Sequence, residues 1–420
     1  MGDTTLKQDP APGGGAFSLA DTIRAVEVDL RILGMLVALA VIWLGFHIAS
    51  GGLFLTPRNL WNLSVQTSTV GVMATGMVLV IVSRNIDLSV GSMLAFIGVA
   101  TAVLQKNILS DIIGFDHPAI WIIAVGFALI MGAILGGFQG WVVSYIGVPS
   151  FIVTLGGLLV WRGASWQVAS GQTVAPLDGI FRLLGGGSRG SIGATLSWIV
   201  GIVACVGIIL LLVNKRRQRH QYGFPVRPLW AEIGLGVIAC SAVLGAVAIA
   251  SSYAPLDRAL GISNPVLILI GVTVIMTFIA TRTRFGRSVY AIGGNPEAAE
   301  LAGINTRRTI LLVFALMGVL VAVGAVIQTA RLNAATSALG TALELSVIAA
   351  AVIGGTSLAG GVGSIPGAVL GALVLQSLIS GMVLIGADAP VQRLVVGVVL
   401  VFAAAIDVFY RKRTERLVAT

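Results

Sequence analysis

The stretch TRTRFGRSVYAIGGNPEAAELAGINTRRT, Thr281 to Thr309, breaks a run of long apolar segments, and its reading decides the fold. Asn295 is placed to be an N-cap and Pro296 to be the first helical residue, while Glu297 and Glu300 sit where the positive end of a helix dipole favours anions. Gly303 then ends the short helix. Its expected exposed body, Ala298, Ala299, Leu301 and Ala302, is small or apolar, so another surface can approach the backbone closely. Arg282, Arg284 and Arg287 precede this helix, and Arg307 and Arg308 follow it. Two readings stand side by side. One is an ordinary cytosolic loop whose arginines set membrane orientation. The other is a docking helix, Asn295 to Gly303, for a soluble partner.

Working outward, the 420 residues are 57% hydrophobic and only 10% charged, with a mean hydropathy of +0.99. A globular domain has roughly a quarter of its residues charged. The deficit means that most of the surface faces lipid, and the expected fold is an all-α polytopic membrane protein. A net charge of +9 and a pI near 10.2 raise nucleic acid as a partner, but the basic residues flank apolar segments instead of forming a stripe with aromatics. Cys205 and Cys240 each lie within an apolar run, which gives neither a disulfide framework nor metal-ligand spacing. Residues 1–30 are polar, with Asp3, Asp9, Asp21, Glu27 and Asp29 and a Gly-Pro rich start, and read as a disordered cytosolic tail without a cleavable signal. A transmembrane domain is expected over 31–410, with a basic cytosolic tail at 411–420.

A span needs roughly 20 apolar residues. On that measure candidates run near 32–51, 63–82, 88–104, 119–138, 149–168, 192–213, 229–250, 264–281, 309–328, 343–359, 365–386 and 391–409. The segments starting at 88, 149 and 343 are short or rich in Gly, Ser and Thr and read as broken or half-spanning helices, for a total of 10–12 spans. With the N-terminus inside, 18 of the 26 basic residues fall on the cytosolic side, among them Arg84, the cluster KRRQRH at 215–220 and the arginines around the quoted helix. Both termini and the coupling loop at 282–308 are therefore expected in the cytosol. GAILGG from Gly132 resembles GAVLGA from Gly367, and VGSM from Val90 resembles VGSI from Val362; the two pairings imply conflicting repeats.

Transport work is driven by ATP or by an ion gradient. A phosphate-binding loop needs Lys followed by Ser or Thr, whereas Lys7, Lys106, Lys215 and Lys412 are followed by Gln, Asn, Arg and Arg. This polypeptide is not its own P-loop ATPase, and no enzymatic activity is expected of it. Ionisable residues near or within spans are few: Asp87, Arg162, Glu344 and Asp407. Asp87 is either a cap for the third span, with Arg84 available to pair with it, or a ligand in a transport path. Glu344 and Asp407 read as interfacial. The candidate path residues are Asn62, Gln66, Asn85, Asp87, Ser89, Thr154 and Asn333, within a wider polar set that includes Gln328 and Gln376. Singly, each is also ordinary helix-to-helix glue.

Four blocks then converge. IDLSVGSM at Ile86, VPSFIVTLGGLLVWRG at Val148, FGRSVYAIGGNPEAAELAGIN at Phe285 and VIGGTSLAGGVGSIPGAVLGA at Val352 resemble the membrane subunits of bacterial ABC sugar importers, the ribose/xylose/galactoside permease family. The extra apolar pair at 192–250 around a basic turn is most similar to the xylose branch. The resemblance implies a homodimeric permease in the bacterial inner membrane, an ABC ATP-binding subunit on the cytosolic face and a periplasmic sugar-binding protein. It makes Asn295–Gly303 the coupling helix, with ATP and Mg bound by the partner subunit and no cofactor on this chain. The cargo would be D-xylose or a related pentose. Family members usually carry a small residue before IDLSVG, where this chain has Arg84 and Asn85. The alternative is a stand-alone, ion-coupled secondary transporter of a small polar solute; a channel ranks third because no charged ring appears.

Overall fold

One helix, Pro57–Val82 (α2), is enclosed almost throughout its length by the rest of the bundle. Its sequence is apolar or small on every side, which is the pattern of a helix with no solvent or lipid face. This computed structural model describes residues 30–418 except 225, 227, 256 and 257, with side chains from 32 to 405. The expected tail at 1–30 lies, except for Leu30, outside the described residues.

The helices follow in order: α1 (Leu30–Ala49), α2, α3 (Val90–Val103, continuing through a π-helical turn to Ile113), α4 (Ile120–Trp141, with a π-helical end to Ile146), α5 (Ser150–Ala169), α6 (Gly193–Gln221), α7 (Leu229–Ser252) and α8 (Asn264–Arg282). Two short helices, α9 (Arg284–Gly294) and α10 (Pro296–Leu301), precede α11 (Thr306–Leu332), α12 (Leu343–Ile353), α13 (Ile365–Leu384) and α14 (Ala389–Val418). Among the described residues nine helices are long and apolar enough to cross a membrane. Together with α5, α12 and the apolar start of α14, every expected apolar run corresponds to a helix.

Of the three runs read as broken or half-spanning, the one at 343–359 is half-length as expected, whereas α5 is an unbroken helix over Ser150–Ala169. The run at 343–359 is helical only to Ile353, because Gly354 caps the helix and Gly355 turns the chain at φ +90°. The third run also differs: it carries continuous helical structure from Val90 to Ile113 and is preceded by a non-helical link, 83–89.

Packing explains the two similar glycine motifs. On α4, Gly132, Gly136 and Gly140 face α11 so closely that a Cβ would overlap the Gly318 or Phe314 carbonyls or press on Leu311. On α13, Gly367 and Gly371 meet the Gly354 and Ala350 carbonyls of the α12 end in the same way. Both motifs are small-residue seams that let backbones touch inside a membrane bundle. Outside the core, α6 and α7 pack on each other, with Gly201 against Val247, and the pair closes at one end with an Arg216–Glu232 ion pair of 2.6 Å. Their outward residues, such as Ile202, Val203, Leu211 and Ile238, are exposed to the surroundings of the bundle and form its lipid face.

Candidate functional site

The segment between α8 and α11 is built from three local caps. Thr283 Oγ1 accepts from Gly286 N (3.1 Å), Asn295 Oδ1 from Ala298 N (3.1 Å) and Asn305 Oδ1 from Arg308 N (2.9 Å). Each satisfies a donor that a helix start leaves free. Gly303, at φ +80°, turns the chain away after α10 as expected. The outward face of α10 consists of Ala298, Ala302 and Leu301, the last 91% exposed, flanked by the exposed Glu297 and Glu300. Ala299 is a correction to the expected exposed body: it is buried, since a helix lying on a protein must turn one face inward. Its carbonyl accepts from Ile304 N, and Glu300 Oε1 accepts from Thr306 Oγ1 (2.7 Å), which together tie α10 to the start of α11.

The end of α9 is pressed against the end of α2. A Cβ at Gly293 would overlap the Val82 carbonyl, and that same carbonyl accepts from Gly361 N (3.0 Å). Tyr290 donates to Gly363 O (2.8 Å). Arg84 donates from Nε to Gly293 O (2.8 Å) and from Nη2 to Gly294 O (2.7 Å), placing a cation on the final carbonyls of α9. The expected Arg84–Asp87 pair does not form, because the guanidinium is committed to α9.

Asp87 turns instead to its own chain. Its Oδ1 accepts from Ser89 N (2.9 Å) and from Ser89 Oγ (2.7 Å), the Ser89 oxygen is also within reach of the Gln139 amide at 3.0–3.1 Å, and Asp87, Ser89 and Gln139 are all buried. Thr154 donates to Ile86 O (3.2 Å) and Ser150 O (2.8 Å), and Asn85 Nδ2 donates to Ser83 O (2.9 Å). Asp87, Ser89 and Gln139 therefore form a buried knot at the start of α3, with Asn85 and Thr154 bonded to the backbone beside it. The link lies outside either span, and burial pushes the Asp87 carboxyl up to about 6, with the two Ser89 hydrogen bonds acting in the opposite direction. The capping geometry uses one oxygen, which an amide also provides. Asp87→Asn is expected to keep near-normal membrane levels and transport, whereas Asp87→Leu leaves a buried N–H unpaired at a cost of about 1–3 kcal/mol. Uptake at matched membrane levels checks this; loss of uptake in the well-assembled Asn variant would return Asp87 to the transport path.

The other candidate path residues lie toward the opposite end of α2, roughly 24–30 Å away at 1.5 Å per residue. Asn62 and Asn333 line one cavity of about 410 Å³ with Trp61, Arg182, Arg189 and Arg331. Gln66 lines a second, of about 360 Å³, with Thr69, Gln328, Gln376 and again Arg331. Gln376 Nε2 donates to Gln66 Oε1 (3.0 Å) and Thr69 Oγ1 to Gln328 Oε1 (3.3 Å), so a polar stripe at helical spacing on α2 faces α11 and α13. The seven candidates thus divide into three that line the cavities, Asn62 and Gln66 on α2 and Asn333 at the end of α11, and four around the start of α3.

Gln139 and Arg331 were not singled out from the sequence. A lone Gln in an apolar run and a lone Arg at a span end carry no pattern. Of the remaining charged candidates, Arg162 donates to Ser337 O (2.5 Å) and Leu339 O (2.7 Å). Glu344, expected at an interface, has its Oε2 buried against the Gly91 backbone. The Asp407 side chain lies outside the described residues.

A helical bundle with one enclosed helix, polar cavities beside it and a capped short helix fixed at its end defines a polytopic membrane permease. Residues 59–404 match the family described as branched-chain amino acid transport system / permease component, and the chain belongs to that family. It is 41% identical to the xylose transport system permease protein XylH of Haemophilus influenzae over 92% of this chain and 98% of that one. It is 38% identical to the xylose transport system permease protein XylH of Escherichia coli K12 over 96% of this chain and 97% of that one. The ribose import permease protein RbsC of Escherichia coli K12 is 33% identical over 84% and 87%. No solved structure matches the chain.

Proposed function

We propose that this chain is the membrane-spanning translocation subunit of an ATP-driven sugar importer, carrying D-xylose or a related pentose across the bacterial inner membrane. The observation that carries the reading is α10: a capped helix that presents Ala298, Leu301 and Ala302 outward while its neighbour α9 is fixed to the end of the enclosed helix. Such an element suits a soluble partner that pushes on the bundle. In this reading an ABC ATP-binding subunit, carrying ATP and Mg, docks there, a periplasmic binding protein delivers the sugar to the opposite side, and two copies of the chain form the pathway. The chain is a transporter component, with ATP hydrolysis assigned to the partner.

The cargo assignment draws on the amide side chains beside the cavities, Asn62, Gln66, Gln328, Asn333 and Gln376, which offer both donors and acceptors to hydroxyl groups. The family description names branched-chain amino acids, whose aliphatic side chains those amides do not suit, although Arg331 beside both cavities would suit a carboxylate. The relatives named for xylose and ribose support the same choice.

The test is to purify the tagged chain with its co-purifying subunits and measure uptake into proteoliposomes. ATP-dependent accumulation of labelled xylose, uncompeted by leucine, is the expected result. Uptake driven by an ion gradient without ATP would favour a secondary transporter, and leucine uptake would reassign the cargo. Reporter fusions at Thr420 and Gln218 should both read cytosolic; an external Gln218 would reverse the orientation assumed for the α6–α7 pair.

A further inference from the structure

The last turn of α2 ends in a Schellman arrangement, with Arg84 N donating to Ile81 O (2.9 Å) and Asn85 N to Val80 O (3.0 Å). The residue at that position takes the left-handed conformation, and Arg84 does so at φ +61°. Glycine meets this demand without a steric cost, and a side chain with a Cβ does not. An arginine there is locally unfavourable, and its guanidinium makes two charge-assisted bonds to the terminal carbonyls of α9. Gly360 allows the arginine stem to pass, since a Cβ at Gly360 would press on Arg84 Cγ. Immediately beyond Arg84 the chain enters the Asp87–Ser89–Gln139 knot that starts α3.

We infer that Arg84 is a positioning residue that transmits displacement of the α9–α10 segment to the α2–α3 link, so that movement of the docked helix becomes movement of the core. The inference rests on the proposed role of α10 and adds the component through which it acts. Three features support it. The bonds cross from one mechanical unit to another, 209 and 210 residues apart in sequence. They are made by a residue whose backbone position favours glycine. The receiving segment is buried and hydrogen-bonded both within itself and to Gln139 of α4, so a pull on Arg84 is passed on to α3.

The position itself supplies the test variant. Arg84→Gly relieves the backbone and removes the side chain, so assembly is expected to survive. Wild-type, Arg84→Gly and Arg84→Lys chains are purified with their co-purifying subunits, reconstituted, and assayed for both xylose uptake and ATP hydrolysis. The expected result is normal subunit recovery and continuing hydrolysis in the Gly variant, with uptake per ATP reduced by about tenfold through loss of two charged hydrogen bonds. The Lys variant, able to reach one carbonyl, should fall between. An unchanged uptake-to-hydrolysis ratio in Arg84→Gly at equal recovery overturns the inference. If the Gly variant does not accumulate, the Lys variant decides by the same ratio: a lowered ratio supports the inference and a wild-type ratio overturns it. Failure of the underlying reading shows separately, as a wild-type chain that recovers no ATPase or transports without ATP.

Discussion

An Ala298→Arg protein is expected to reach normal membrane levels, recover little ATP-binding subunit on purification and take up no sugar. Ala298, Leu301 and Ala302 share the outward face of α10, and Ala298 lies one turn from Ala302. A long cation there occupies the space a partner surface would fill. The substitution leaves the helix itself almost untouched: arginine is a good helix former, and the Asn295 cap uses only the backbone N–H of residue 298. A matched Ala299→Arg change should act differently, since Ala299 faces inward and a buried guanidinium would unseat α10 from the body. Co-purification and uptake at equal expression distinguish them. Wild-type uptake by Ala298→Arg would remove this face from the docking surface.

Gly136→Leu should be the most damaging single change among the glycines of α4. Its Cβ would lie 2.2 Å from the Phe314 carbonyl oxygen, with Gly318 backbone atoms at 3.0 Å, and neither can move without separating α4 from α11. Overpacking against a side chain costs about 1–3 kcal/mol; overpacking against backbone has no rotamer to yield, so failure to accumulate in the membrane is the expected outcome. Gly126→Leu on the same helix is the control, because nothing lies within 4 Å of the Cβ it would carry. Membrane abundance and thermal stability in detergent measure both. Equal behaviour of the two variants would mean that the α4–α11 seam is not as close as described.

Features set by near neighbours in the chain were legible in the sequence. Asn295, Pro296 and Gly303 each act within a few residues, so the spelling of α10 carried its geometry. The apolar runs likewise announced every long helix. Features set by packing were not legible. Arg84 looked like a partner for Asp87 because both are close in sequence, yet its carbonyls come from Gly293 and Gly294. Ala299 looked exposed because a short helix of small residues gives no apolar stripe to show which face turns inward. The seven candidate path residues are alike as polar side chains in apolar surroundings; only the direction of α2 separates Asn62 and Gln66 from the knot at Asp87. The half-length of α12 was legible in its glycines, but its end at Ile353 was not, because hydropathy passes over Gly354 and Gly355 without registering a stop.

The enclosure of α2 has a consequence for how the molecule is made. This helix carries Asn62, Gln66 and Thr69 on the face that α11 and α13 later cover. It leaves the ribosome about 250 residues before α11 is complete, which at typical synthesis rates is roughly 12–50 s. Throughout that interval its polar side chains have no partner helix, and in lipid such groups are costly. Biogenesis of this bundle is therefore a matter of holding its second helix in a sheltered place, at the insertion site or against the first helices, until the C-terminal half arrives to enclose it.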